Sequence, residues 1–147
     1  MSIRRKILTT VAVVGAALTL GYYAIHKPDV EVNRGRYATE IIDNRKVPIS
    51  DDRWIGAKIY RDSNGNGTLD TFVTITCKTR PNSFGLDSDC NYDELALLNN
   101  SYPGGYGAGR VGGFYSQLGK YTDEGRRLQN EFEALLKQHR NRLMLCL

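Results

Sequence analysis

The sequence predicts an α+β protein: an N-terminal transmembrane helix, then a small antiparallel β-sheet containing a hairpin, with a C-terminal amphipathic helix packed on it. Three observations predict this. The 19 residues Ile7 to Ile25 carry no charge. Two segments, Trp54 to Tyr60 and Thr71 to Lys78, alternate apolar and polar residues and are rich in β-branched side chains. From Asp123 onward the apolar residues fall at helical spacing.

Taken in chain order, Ile7 to Ile25 as a helix would span about 28 Å, close to the thickness of a bilayer's hydrocarbon core. Arg4, Arg5 and Lys6 precede it and favour a cytoplasmic N-terminus, while Tyr22 and Tyr23 suit the far interface. Residues 1–25 therefore read as a single-pass membrane anchor, which places the rest of the chain outside the cytoplasm. The alternative is a signal peptide, with Gly15-Ala16-Ala17 or Thr19-Leu20-Gly21 supplying small residues for cleavage and a secreted product. Residues 26–35, with Pro28, read as a linker, and 36–147 as one α+β domain.

Within that domain, Arg36 to Ile42 is expected as a first strand and Asn44 to Asp52 as a loop around Pro48. Trp54 to Tyr60 places Ile55, Ala57 and Ile59 on one side, and Thr71 to Lys78 places Val73, Ile75 and Cys77 on one side. Asp62 to Asp70 joins the two as a hairpin connection. Tyr92 to Asn99 is expected as a short helix, because Asn91 and Glu94 have capping-box spacing and Leu95, Leu97 and Leu98 supply an apolar side. Ser101 to Tyr115 reads as a Gly/Tyr-rich loop. In the last helix Leu128, Phe132, Leu135, Leu136 and Leu143 fall within about 100° of one another. Asp123 and Glu124 open that helix and Lys137, Arg140 and Arg142 close it, as the macrodipole favours.

Charge argues against nucleic acid as a partner. The chain has 20 basic and 16 acidic side chains. Three of the basic ones precede the uncharged run, which leaves 17 against 16 in the remainder. Mean hydropathy is −0.42 even with that run included.

The sharpest chemical pattern is Asp62-Ser63-Asn64-Gly65-Asn66-Gly67-Thr68-Leu69-Asp70. Oxygen-bearing side chains stand at its positions 1, 3, 5 and 9, with glycine at 6. This spacing resembles the calcium loops of the EF-hand family, and more closely the shorter DxNxDG-type loops set in β-structure. The resemblance implies calcium held by the side chains of Asp62, Asn64, Asn66 and Asp70 and the backbone carbonyl of Thr68. It covers nine residues, and Val73 stands where an EF-hand has its bidentate Glu. The alternative is a metal-free turn, since Asn64-Gly65 and Asn66-Gly67 are favoured hairpin turns in themselves.

The remaining candidates are weaker. Cys77 and Cys90 are expected to form a disulfide, with two buried thiols as the alternative, and Cys146 has no evident partner. Asp87, Asp89, Asn91, Asp93 and Glu94 read as acids gathered at a helix start. Gly107 to Gly112 matches GxGxxG but follows no strand, so the dinucleotide context fails. His139 falls on the apolar stripe of the last helix, and Asp51-Asp52 reads as a surface pair. No nucleophile–base or catalytic-metal set is legible. The function expected is a membrane-anchored extracytoplasmic binding or interaction module with a calcium-stiffened hairpin. The alternative is a structural or accessory subunit of an envelope complex, contacting a protein partner through the C-terminal helix or the Gly/Tyr loop.

Overall fold

A computed structural model describes residues 28–79, 88–110 and 113–145. The described chain forms eight strands and one helix. They are β1 (Val30–Arg34), β2 (Thr39–Asp43), β3 (Val47–Pro48), β4 (Arg53–Asp62), β5 (Thr71–Thr79), β6 (Ser88–Leu98), β7 (Gly105–Arg110), β8 (Gly113–Gly119) and α1 (Asp123–Leu145). Seven of the strands make one sheet in the order β1-β2-β4-β5-β6-β8-β7, and β3 pairs with the first part of β4. Neighbours are antiparallel except β6 and β8, which run parallel. The parallel pair arises because the chain leaves β6, forms the edge strand β7, and returns as β8 into the gap between them.

The pairing register assigns the two faces, because directly opposed residues share a side. Ile41 lies opposite Tyr60, Tyr60 opposite Phe72, Phe72 opposite Leu95, and Leu97 opposite Leu118. These residues form the inner face. Leu128, Phe132 and Leu135 of α1 pack on it, at spacings of four and three residues that place them on one side of a helix. Leu128 and Phe132 are fully buried. Each of the three stabilises the domain by roughly 1.5–3 kcal/mol through apolar area removed from water. The opposite face carries Ile42, Ile59, Val73 and Ile75, with Glu40 ion-paired to Arg61 at 2.6 Å.

Several expectations need correction. β1 occupies 30–34, inside the stretch read as a linker, because Val30 and Val32 alternate inward onto the core and pair with β2. Tyr92 to Asn99 is not a helix. β6 pairs with β5 through nine successive residues, and Leu95 and Leu97 point inward at strand spacing. Tertiary pairing overrides the local capping signal. Cys77 and Cys90 are directly opposed in this ladder and joined by a disulfide, with Cα atoms 4.0 Å apart. Ser101 to Tyr115 is not a continuous loop, since β7 and the start of β8 pair within it. The expected transmembrane helix falls on residues outside those described. Among the described residues no helix is long and apolar enough to cross a membrane. The described residues therefore form an eight-stranded mixed sheet with an amphipathic helix on one face, in place of the small antiparallel sheet expected.

Asp43, at the end of β2, is a buried carboxylate. The Arg45 guanidinium donates from Nε and Nη2 to its two oxygens at 2.8 and 2.6 Å, and the Arg45 backbone N–H donates at 3.1 Å. Burial works against the charge, but these bonds outweigh it and hold the carboxyl below the usual carboxylate range. Its folded pKa is depressed, so its contribution is complete above the unfolded value of about 3.9 and is lost as pH falls through the lower folded value. In urea unfolding followed from pH 6 to pH 2, Asp43→Asn is expected to be less stable than the parent at pH 6. The difference should shrink progressively below about pH 4. A difference that stays constant across that range would contradict this account.

Candidate functional site

The turn between β4 and β5 is organised by its first residue. Asp62 is 1% exposed. Its Oδ1 accepts the backbone N–H groups of Gly65 and Asn66 at 2.8 and 3.2 Å, and its Oδ2 accepts that of Gly67 at 2.7 Å. Gly65 and Gly67 adopt φ of 71° and 83°, which turns their N–H groups inward at no steric cost. Asn64 and Asn66 repeat the device on a smaller scale. Each side-chain oxygen accepts the N–H two residues on, at 3.1 Å to Asn66 and 2.8 Å to Thr68. Asp70 closes the turn, accepting the Ser63 N–H at 2.7 Å and the Ser63 hydroxyl at 2.5 Å.

α1 then fixes this turn to the core. Gln129 accepts the Leu69 N–H at 2.8 Å and donates to the Gly67 carbonyl at 3.0 Å and to Glu133 at 2.8 Å. Two residues on, Glu131 accepts the hydroxyl of the buried Tyr60 at 2.8 Å. Burial raises the Tyr60 pKa well above the ordinary phenol value, and the bond to Glu131 adds to this. Arg127 bridges Glu124 and Glu131 on the solvent side. The helix starts at Thr122, whose hydroxyl accepts the Gly125 N–H at 3.1 Å and donates to the Gly119 carbonyl at 2.7 Å. Gly125 is buried, and a Cβ placed there would lie 2.4 Å from the Gly119 carbonyl oxygen. Only glycine lets the first helical turn lie against the end of β8.

Between the turn, the helix start and the end of β8 lies a cavity of about 470 Å³. Leu69 and Leu97 form its apolar base, Asn64, Asn66 and Thr68 one wall, Gln129 and Asn130 another, and Lys120, Tyr121 and Arg126 the rim. Its volume lies within the range of small-molecule sites. Asn64, Asn66 and Thr68 are brought together here with residues that the sequence did not single out. Arg126 and Gln129 enter through the register of α1 on the sheet and Lys120 through the end of β8, and no local signal marks them.

The other sequence candidates lie apart. His139 is half-buried in a narrow cleft with Val30, Leu135, Gln138 and Arg142, and neither Asp51 nor Asp52 lines it. Asp52 pairs with Lys78 at 3.5 Å and accepts the Ser50 hydroxyl at 3.1 Å. Asp93 accepts the Phe114 N–H at 3.1 Å, as a strand residue rather than a helix acid. Val111 and Gly112 of the GxGxxG match, Asp87 and Cys146 lie outside the described residues. Among the described residues, no group of three or more His, Cys, Asp or Glu is placed to share a metal ion.

Two substitutions test the turn and its clamp. Asp62→Ala removes the acceptor of three partly buried N–H bonds, and is expected to destabilise the domain by about 2–4 kcal/mol in urea with a calcium chelator present. Equal stability of variant and parent under chelation would remove the structural role assigned to Asp62. Gly125→Ala, which raises helix propensity by about 1 kcal/mol in an unencumbered helix, is expected here to lower the melting temperature. A rise would contradict the close approach of α1 to β8.

A family model described as NADH-ubiquinone reductase complex 1 MLRQ subunit matches residues 7–47. That stretch includes β1, β2 and the first residue of β3. No curated protein and no solved structure matches the chain. The family match corrects two expectations. The segment that matches a family model is 7–47, not the calcium-loop pattern 62–70, which is the strand-to-strand turn expected, with Asp62 accepting backbone N–H groups. The uncharged run Ile7 to Ile25 lies inside the matched stretch, so what it resembles is part of a reductase subunit, and no comparison supports an extracytoplasmic placement of the domain.

Proposed function

We propose that this protein is an accessory subunit of a multi-subunit assembly of the NADH-ubiquinone reductase kind, joined to it by protein–protein contact. The observation that carries this reading is the likeness of residues 7–47 to a subunit of that complex. The end of α1 supports it. The apolar stripe that buries Leu128, Phe132 and Leu135 reaches Leu143, and at this tip Leu143, Met144 and Leu145 are 56%, 73% and 88% exposed. Three consecutive exposed apolar residues at one helix tip are a surface that a partner would cover. The second half of α1 lies beside Val30 of β1, so this tip belongs to the side of the domain built by the matched stretch. Among the described residues β1 is also an edge of the sheet, where a further strand could pair.

The test is native gel separation of the assembled reductase from cells producing a tagged full-length chain, with subunits identified by mass spectrometry. The tagged chain is expected to migrate with reductase subunits. The double substitution Leu143→Asp and Leu145→Asp is expected to reduce its share in that band at least about tenfold, while circular dichroism of the purified variant stays unchanged. Migration of the unsubstituted chain wholly apart from the assembled reductase would refute the proposal.

A further inference from the structure

The cavity beside the 62–70 turn carries charge of one sign, with two cations and no carboxylate among its described lining residues. The side-chain oxygens of Asn64 and Asn66 are already committed to the Asn66 and Thr68 N–H groups. Their amide NH₂ groups therefore remain as donors, with no partner among the described residues. The Gln129 oxygen is likewise committed, to Leu69. The Lys120 ammonium has no partner among the described residues. Arg126 is held in place by donating one Nη2 bond to the Tyr121 carbonyl at 2.8 Å, which leaves further N–H groups of its fork available. No Asp or Glu is among the described residues that line the cavity. Below these donors lie Leu69 and Leu97, 1% and 6% exposed, and the Tyr121 ring stands at the rim.

We infer that this cavity binds a small organic anion, a phosphate ester or carboxylate, with its charged oxygens toward Lys120 and Arg126 and an apolar or ring body over Leu69 and Leu97. Two cations without an acid beside them favour a negative ligand, and amide donors favour one rich in acceptor oxygens. The apolar base favours a ligand with a carbon body over an inorganic ion. A cation would meet Lys120 and Arg126 with no carboxylate among the described lining residues to hold it. The site lies at the start of α1, away from the exposed helix tip, and the inference is independent of the subunit reading.

The test is a titration of the isotopically labelled full-length protein, followed by amide chemical shifts, with phenyl phosphate, benzoate, inorganic phosphate, benzyl alcohol and benzylamine as probes. Phenyl phosphate or benzoate is expected to saturate at about 1 mM or below, with shifts confined to residues 64–69, 97–99 and 120–130. The tighter of the two distinguishes phosphate ester from carboxylate. Benzyl alcohol, benzylamine and inorganic phosphate are each expected to bind at least about tenfold more weakly. Lys120→Gln is expected to weaken the preferred anion about tenfold without altering shifts outside the cavity. Four results would overturn the assignment: no saturation by either organic anion, shifts centred elsewhere, equal binding of benzylamine or benzyl alcohol, or undiminished binding by Lys120→Gln. Inorganic phosphate binding as tightly as phenyl phosphate would overturn the organic body.

Discussion

The hydroxyl of Tyr60 sets the position of α1 on the sheet. Tyr60 sits in the middle of the inner face, 2% exposed, with its ring tilted against Phe72 at 5.0 Å between centroids. A buried phenol left without an acceptor costs on the order of 1–3 kcal/mol. The acceptor comes from Glu131, and a helix that places Glu131 there also places Leu128, Phe132 and Leu135 on the apolar strip between Ile41 and Leu118. Two residues back, the same register brings Gln129 over the Leu69 N–H and the Gly67 carbonyl. Apolar packing alone tolerates small slides of a helix along a sheet. Directional bonds from both Gln129 and Glu131 do not. The cavity, bounded by the turn on one side and the helix start on the other, exists at its observed size because those bonds fix the separation.

The turn itself shows how a carboxylate can be buried with no side-chain cation paired to it among the described residues. Thr39, not a cation, lies opposite Asp62 in the ladder, yet Asp62 is removed from water. Three backbone N–H groups converging on its two oxygens take the place of solvent. The two glycines make that convergence sterically possible, Asn64 shares the Asn66 N–H with Asp62, and Asn66 secures the Thr68 N–H. Oxygen-bearing side chains at alternate positions are what a loop needs to surround a cation. They are equally what a loop needs to satisfy its own N–H groups. The spacing is common to both, and only the direction of the carboxylates separates them. That is why the residues of this segment were legible in the sequence while both readings of their work stayed open.

Other parts of the fold divide along the same line. β4 and β5 were legible because Ala57 and Ile59, and Val73 and Ile75, alternate along the face opposite α1, a pattern that survives in the sequence. α1 was legible from its stripe and from acids at its start and bases at its end. β6 was not, because Leu95, Leu97 and Leu98 satisfy both a helical and a strand period over so short a run. Nine pairs with β5 and a parallel neighbour decide it, and neither is local. β7 and β8 were hidden by glycine, which carries no side-chain pattern to read. The uncharged run at the N-terminus was read from its length and flanking charges alone. The likeness across 7–47 groups that run with β1 and β2, a continuity that hydropathy does not express.

The two surfaces singled out lie at opposite ends of one helix. α1 has 23 residues, which makes it about 34 Å long. Its first two turns, through Arg126, Gln129 and Asn130, wall the cavity. Its last turn carries the exposed Leu143, Met144 and Leu145. Between them the buried stripe holds the helix to the core and leaves neither end free to adjust without disturbing Phe132. A ligand at the first end and a protein at the second therefore make no competing demand on the same side chains. The composition of each end follows from what it faces. The first end meets a turn whose Asn64 and Asn66 oxygens are already committed, and it presents the Arg126 guanidinium to the cavity. The second meets no strand among the described residues, and it keeps apolar side chains that the sheet has not covered.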